Sequence, residues 1–82
     1  MPLFMDIHHL DEVSLGDVAN AHQADLAIQQ DHGVNYLRYW VDEAHGKVFC
    51  LVDAPSAEAA ATVHREAHGL VADELFPVQE GS

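Results

Sequence analysis

Histidine is the unusual residue of this chain. Seven histidines accompany a single cysteine and only three lysines and arginines. His64 and His68 stand four apart within Ala54–Leu75 (APSAEAAATVHREAHGLVADEL), an alanine-rich stretch with the pattern of one helix, so their rings are neighbours on its surface. Asp6 and His8 stand two apart in LFMDIHH at Leu3–His9. The bulky, partly alternating character of that segment predicts a strand, on which both side chains point the same way. Cys50 lies in KVFCLVD at Lys47–Asp53, and His22 falls on the apolar stripe of a predicted helix. Imidazole, thiolate and carboxylate are the ligands of divalent transition metals, and imidazole suits nickel, zinc and copper alike. The candidate metal ligands are therefore Asp6, His8, His22, Cys50, His64 and His68, with His9 in reserve on the opposite side of its strand.

Each of these residues also has a plainer use. His22 can be a core histidine hydrogen-bonded to backbone or a carboxylate. Cys50 can be a small core residue whose buried thiol is inert. Asp6 and His8 can be solvated groups at a sheet edge, and two histidines fall four apart often by chance. An enzyme is the alternative function: a cofactor-free oxygenase or isomerase working in a helix–sheet cleft, with His22, Tyr39 or Cys50 as acid, base or nucleophile. No Ser-His-Asp order, phosphate loop or cofactor fingerprint supports that alternative, and a metal-binding module is favoured over it.

The elements that must position these groups read in order. After the first strand, Ser14 is a suitable N-cap for a helix from Leu15 to about His32, closed by Gly33. Its packing stripe is expected to be Leu15, Val18, Ala19, His22 and Leu26. Val34–Asp42 is a second strand, with Leu37, Tyr39 and Val41 on one face and Tyr36, Arg38, Trp40 and Asp42 on the other. Glu43–Gly46 is a hairpin turn holding a solvated His45. Lys47–Asp53 is a strand apolar on both faces. Ser56 caps the second helix, which packs through Ala59, Val63, Glu66 or Ala67, and Leu70. His64 is expected at the border of that stripe and His68 nearer solvent, with Gly69 ending or kinking the helix. Leu75–Gln79 is a last strand, held to a sheet edge because Pro77 cannot donate a hydrogen bond. The order β-α-β-β-α-β predicts an α+β ferredoxin-like plait, one antiparallel sheet with two helices on one face, spanning residues 1–82 as a single domain. The uncovered face of the third strand predicts a homodimer formed sheet to sheet.

Charge narrows the partners. The formal net charge is -11 at pH 7. Nucleic acids and anionic membranes are bound through lysine and arginine, so neither is an expected partner. A negative field attracts cations, and it also keeps a small protein soluble. No apolar run is long enough to span a membrane, and the start, MPLFMDIHHLDE, lacks the basic region of a signal peptide. A lone cysteine and no export signal predict a reducing cytoplasmic setting.

Several stretches together resemble a known family. FMDIH at Phe4–His8, AHQADLAIQ at Ala21–Gln29, YLRYWVDE at Tyr36–Glu43, KVFCLVDAP at Lys47–Pro55 and VHREAHG at Val63–Gly69 are similar to segments of small bacterial nickel-responsive, nickel-binding proteins with a ferredoxin-like fold. The resemblance covers nearly the whole chain. It implies nickel binding by a dimeric plait with no established catalysis, and related members carry a cysteine at the place of Cys50 and a histidine at the place of His64.

Overall fold

The computed structural model describes residues 2–81. Strand β1 (Leu3–His9) leads to helix α1 (Leu15–Ile28), which tightens into a 3-10 turn over Gln29–His32. Strands β2 (Asn35–Asp42) and β3 (Lys47–Asp53) follow, then helix α2 (Ala57–Ala67) and strand β4 (Glu74–Val78). Among the described residues the four strands form one antiparallel sheet in the order β2-β3-β1-β4. This is the expected ferredoxin-like plait. The strand carrying Pro77 lies at the edge, opposite Phe4, where its missing N–H costs no ladder bond to a further strand.

Local chemistry sets the helix ends. Ser14 Oγ accepts from Asp17 N at 3.1 Å, and Ser56 Oγ accepts from Ala59 N at 3.1 Å. The Glu43 carboxylate accepts a further free donor, Leu15 N, at 2.8 Å and so ties the start of α1 to the hairpin. Gly33 takes the left-handed conformation that ends the 3-10 turn. Gly46 also has positive φ, and a Cβ there would overlap the Leu10 carbonyl oxygen, while Leu10 N donates to Gly46 O at 2.7 Å. That contact fixes the loop whose Leu10 and Val13 wall the site described below.

The core lies between the helices and one sheet face. Val48, Cys50 and Val52 of β3 point into it, with Val34, Ala54, Ala60 and Val63 closing around them. Val34, Val52 and Val63 are essentially fully buried, each worth about 1.5–3 kcal/mol in transfer energy. The other face of β3 carries Phe49 and Leu51, as its sequence predicted.

Three expectations are corrected. First, α1 is turned by about one residue: Val18 and Asp25 are its buried positions, while Leu15 is 57% and Leu26 37% exposed. Second, a bulge at Leu37 shifts the register of β2, so Tyr36 faces Val52 and Tyr39 faces Cys50. Tyr36, Tyr39 and Val41 therefore share the helix side, where strict alternation had separated them. Third, α2 stops at Ala67, and the chain turns at Gly69, whose φ is 79°. Leu70 leaves the packing stripe, and His64 moves from its expected border position into the core at 2% exposure.

Candidate metal centre

Strand β1 places Asp6 and His8 on the helix side of the sheet, two residues apart, as alternation requires. Cys50 of β3 is the cross-strand partner of Asp6, and His8 pairs with Val48. Directly paired residues share a face, so the thiol joins the carboxylate and the imidazole. Helix α2 lowers His64 onto them. Ligand atoms of Asp6, His8, Cys50 and His64 all lie within 4.8 Å of one another, and all four residues are buried.

The distances within this cluster are short. His64 Nε2 is 2.9 Å from Asp6 Oδ2, and His8 Nε2 is 3.2 Å from Asp6 Oδ1. The second contact has ion-pair distance but not hydrogen-bond alignment, so among the described residues Asp6 Oδ1 accepts no hydrogen bond. Tyr36 stacks on the His64 ring with centroids 4.3 Å apart, donates to Ala60 O at 2.9 Å and reaches Asp6 Oδ2 at 3.4 Å. The bulge at Leu37 brings this tyrosine here.

Behind His64 stands a residue that sequence reasoning missed. Asp25 of α1 is 3% exposed, and its Oδ1 lies 2.9 Å from His64 Nδ1. His68, one turn beyond His64, brings its Nε2 within 3.1 Å of both atoms. Asp25 lay one position from the presumed stripe. Val18, Ala21, Asp25 and Ile28 follow helical spacing equally well, and an acid inside such a stripe was the available signal.

The electrostatics follow from burial and partners. Burial alone would raise the Asp6 pKa, but the hydrogen bond with His64 and the close His64 and His8 imidazoles overcome it and hold the group down at about 2. Burial alone would lower His64, but Asp25 on one nitrogen and Asp6 on the other hold it up at about 9. His68 is lowered, by burial first. Burial also pushes the Cys50 thiol and the Tyr36 hydroxyl far above their usual ranges, and the Asp6 charge adds to both. Asp6 and Asp25 bring two negative charges into the core, and the His64 imidazolium answers one.

The remaining candidates lie elsewhere. His22 is half-buried against Tyr39, with ring centroids 4.8 Å apart, outside the four-donor cluster. His9 is exposed and pairs with Glu74 at 2.7 Å. His45 is exposed in the hairpin and pairs with Asp42 at 2.8 Å. A cavity of about 260 Å³ opens between α1 and the sheet, lined by His8, His22, Asp25, Cys50, His64 and His68 among others.

The profile of the nickel-responsive protein SCO4226-like family matches residues 4–78. The crystal structure of SCO4226 from Streptomyces coelicolor A3(2) is 40% identical, with a TM-score of 0.90, over 98% of this chain and 99% of that one. No curated protein matches the chain.

Proposed function

The chain belongs to the SCO4226-like family of nickel-responsive proteins, and on that premise we propose that it binds nickel through Asp6, His8, Cys50 and His64. One observation carries this reading: four metal-type donors are buried together while, among the described residues, Asp6 Oδ1 accepts no hydrogen bond. A buried oxygen left so costs about 1–3 kcal/mol. An ion would satisfy it and would answer the second carboxylate charge.

The donor set fits such an ion. Nickel favours square-planar or octahedral sites, in which bonds of about 2.0–2.3 Å put adjacent donors roughly 2.8–3.3 Å and opposite donors roughly 4.0–4.6 Å apart. The four donor atoms, all within 4.8 Å of one another, come near that arrangement. Asp25 on the rear nitrogen of His64 fixes the ring, as outer carboxylates do for metal-bound histidines. Coordination displaces the Cys50 proton that burial otherwise retains. Zinc and copper suit the same donors, and the responsiveness of the family selects nickel.

The role that follows is to hold the ion, as a buffer, store or responder, rather than to turn over a substrate. We further propose a cytoplasmic setting, which suits a free cysteine. The open sheet face, with Met5, Ile7, Phe49 and Leu51 flanked by Trp40 and Phe76 at 48% exposure each, would be covered by a second copy in a homodimer. Nucleic acid is not an expected partner at this net charge.

Nickel added to metal-free protein tests the reading. A thiolate-to-nickel charge-transfer band should grow to saturation and vanish in Cys50→Ser. Saturable nickel uptake with no such band would place the ion elsewhere.

A further inference from the structure

His64 offers two nitrogens, and only Nε2 faces the four-donor cluster. On the opposite side, His64 Nδ1, Asp25 Oδ1 and His68 Nε2 form a nearly equilateral triangle with edges of 2.9, 3.1 and 3.1 Å. Adjacent donors of a six-coordinate ion with bonds of about 2.1 Å lie about 3.0 Å apart. The triangle therefore has the dimensions of one face of such a coordination shell. We infer that Asp25, His64 and His68 form a second site for a divalent transition-metal ion, distinct from the four-donor centre.

The supports of the three ligands are rigid. His64 and His68 stand one turn apart on and just beyond the end of α2, and Asp25 stands on the inner face of α1, which packs beside it. His68 is further fixed by Leu70 N, which donates to its Nδ1 at 3.1 Å and leaves Nε2 for the triangle. Two histidines and one carboxylate on one face of an ion leave the remaining positions open.

Those positions have somewhere to point. Asp25, His64 and His68 all line the 260 Å³ cavity, whose other walls include Leu10, Val13, Val18 and Val48. That volume exceeds the roughly 150 Å³ that admits benzene to an engineered cavity. None of the three basic residues lines the space, while Glu12 and Asp17 do, so a cation meets attraction on the way in. His8, Cys50 and His64 of the four-donor centre also line this cavity, but the triangle lies on the Nδ1 side of His64 and would present its own ion to exchangeable ligands there. On entry the ion takes the place of the proton between His64 Nδ1 and Asp25 Oδ1, which leaves to solvent.

The two sites have separate signatures, so this inference and the nickel centre can fail independently. Cobalt(II) is added to the metal-free chain, and azide is then used as a small probe of open coordination positions. In the unaltered chain, visible cobalt bands should shift on azide addition, alongside a thiolate charge-transfer band from Cys50. His68→Ala should abolish the azide shift, lose an ion per chain and keep the thiolate band. Asp25→Asn, which also removes the carboxylate that orients His64, should abolish the azide shift and lose an ion per chain, provided far-ultraviolet circular dichroism shows both variants folded. Cys50→Ser should remove the thiolate band and keep the azide shift. An azide shift that survives in both folded variants, or is absent from the unaltered chain, overturns the second site. Loss of both signals together in His68→Ala also overturns it, because it reveals one centre only.

Discussion

Histidine–carboxylate pairs occur in two settings in this molecule. His9–Glu74, His45–Asp42 and His32–Glu66 lie on the surface at 2.7, 2.8 and 3.3 Å. Asp6–His64–Asp25 lies in the core at 2.9 Å on each side. The distances are alike, but the environments are not. Water screens the surface pairs, so they add little to stability. In the core each charge has lost its hydration and depends on its partner. Donor geometry alone therefore does not make a site. Burial turns the same pairing into a centre whose protons are held firmly and whose spare charge favours an ion.

Removing the shared partner should show the difference most strongly. His64→Ala leaves Asp6 and Asp25 buried without their common cation. Urea unfolding of the metal-free protein near neutral pH should show a loss of about 3–5 kcal/mol. A loss below about 1 kcal/mol would put the core pair on the level of the surface pairs.

The pH dependence has a definite sign. His64 has its folded pKa raised from 6.5 to about 9. Its contribution is therefore complete below pH 6.5 and disappears as pH rises through 9. Metal-free protein should lose up to about 3 kcal/mol across that window, and His64→Gln should lose far less of its remaining stability there. Asp6 has its folded pKa depressed from 3.8 to about 2, so its share is present above 3.8 and disappears as pH falls through 2. Flat stability between pH 6.5 and 9 would contradict the imidazolium between two carboxylates.

Nickel should then sharpen the contrast from the other side. At a free concentration about one hundred times the dissociation constant it should add about 2.7 kcal/mol, seen as a higher melting temperature. Uptake near neutral pH should release protons, because His64 and Cys50 must both give theirs up, and affinity should weaken in acid. Equal proton counts by calorimetry in buffers of different ionisation enthalpy would test this, and no release would argue against both ligands. The smallest effects belong to the surface. His9→Ala and His45→Ala should each leave the urea midpoint nearly unchanged, and a clear drop would mean that those pairs are not simply solvated.

Much of this arrangement was legible in the residues, for identifiable reasons. Alternation in LFMDIHH set Asp6 and His8 on one side, Pro77 sent its strand to the edge, and Ser14 and Ser56 marked helix starts. The convergence of Asp6, His8, Cys50 and His64 follows from the plait, because β1 and β3 are neighbours beneath α2. Asp25 was not legible. A helix with many alanines and mixed polarity has a weakly defined inner face, and only contact with α2 decides that Asp25, not Leu26, turns inward. Tyr36 was hidden by the Leu37 bulge, which no turn residue announces. His22 met its apolar neighbours but found Tyr39 rather than the cluster.

The central claim is that nickel enters the core through a thiolate, two imidazoles and a carboxylate. X-ray absorption at the nickel edge, on protein loaded with less nickel than one ion per chain, tests it most directly. The account predicts a sulfur scatterer at about 2.3 Å beside nitrogen and oxygen scatterers at about 2.0–2.1 Å, with the sulfur lost in Cys50→Ser. A shell of nitrogen and oxygen alone, unchanged by Cys50→Ser, would contradict it.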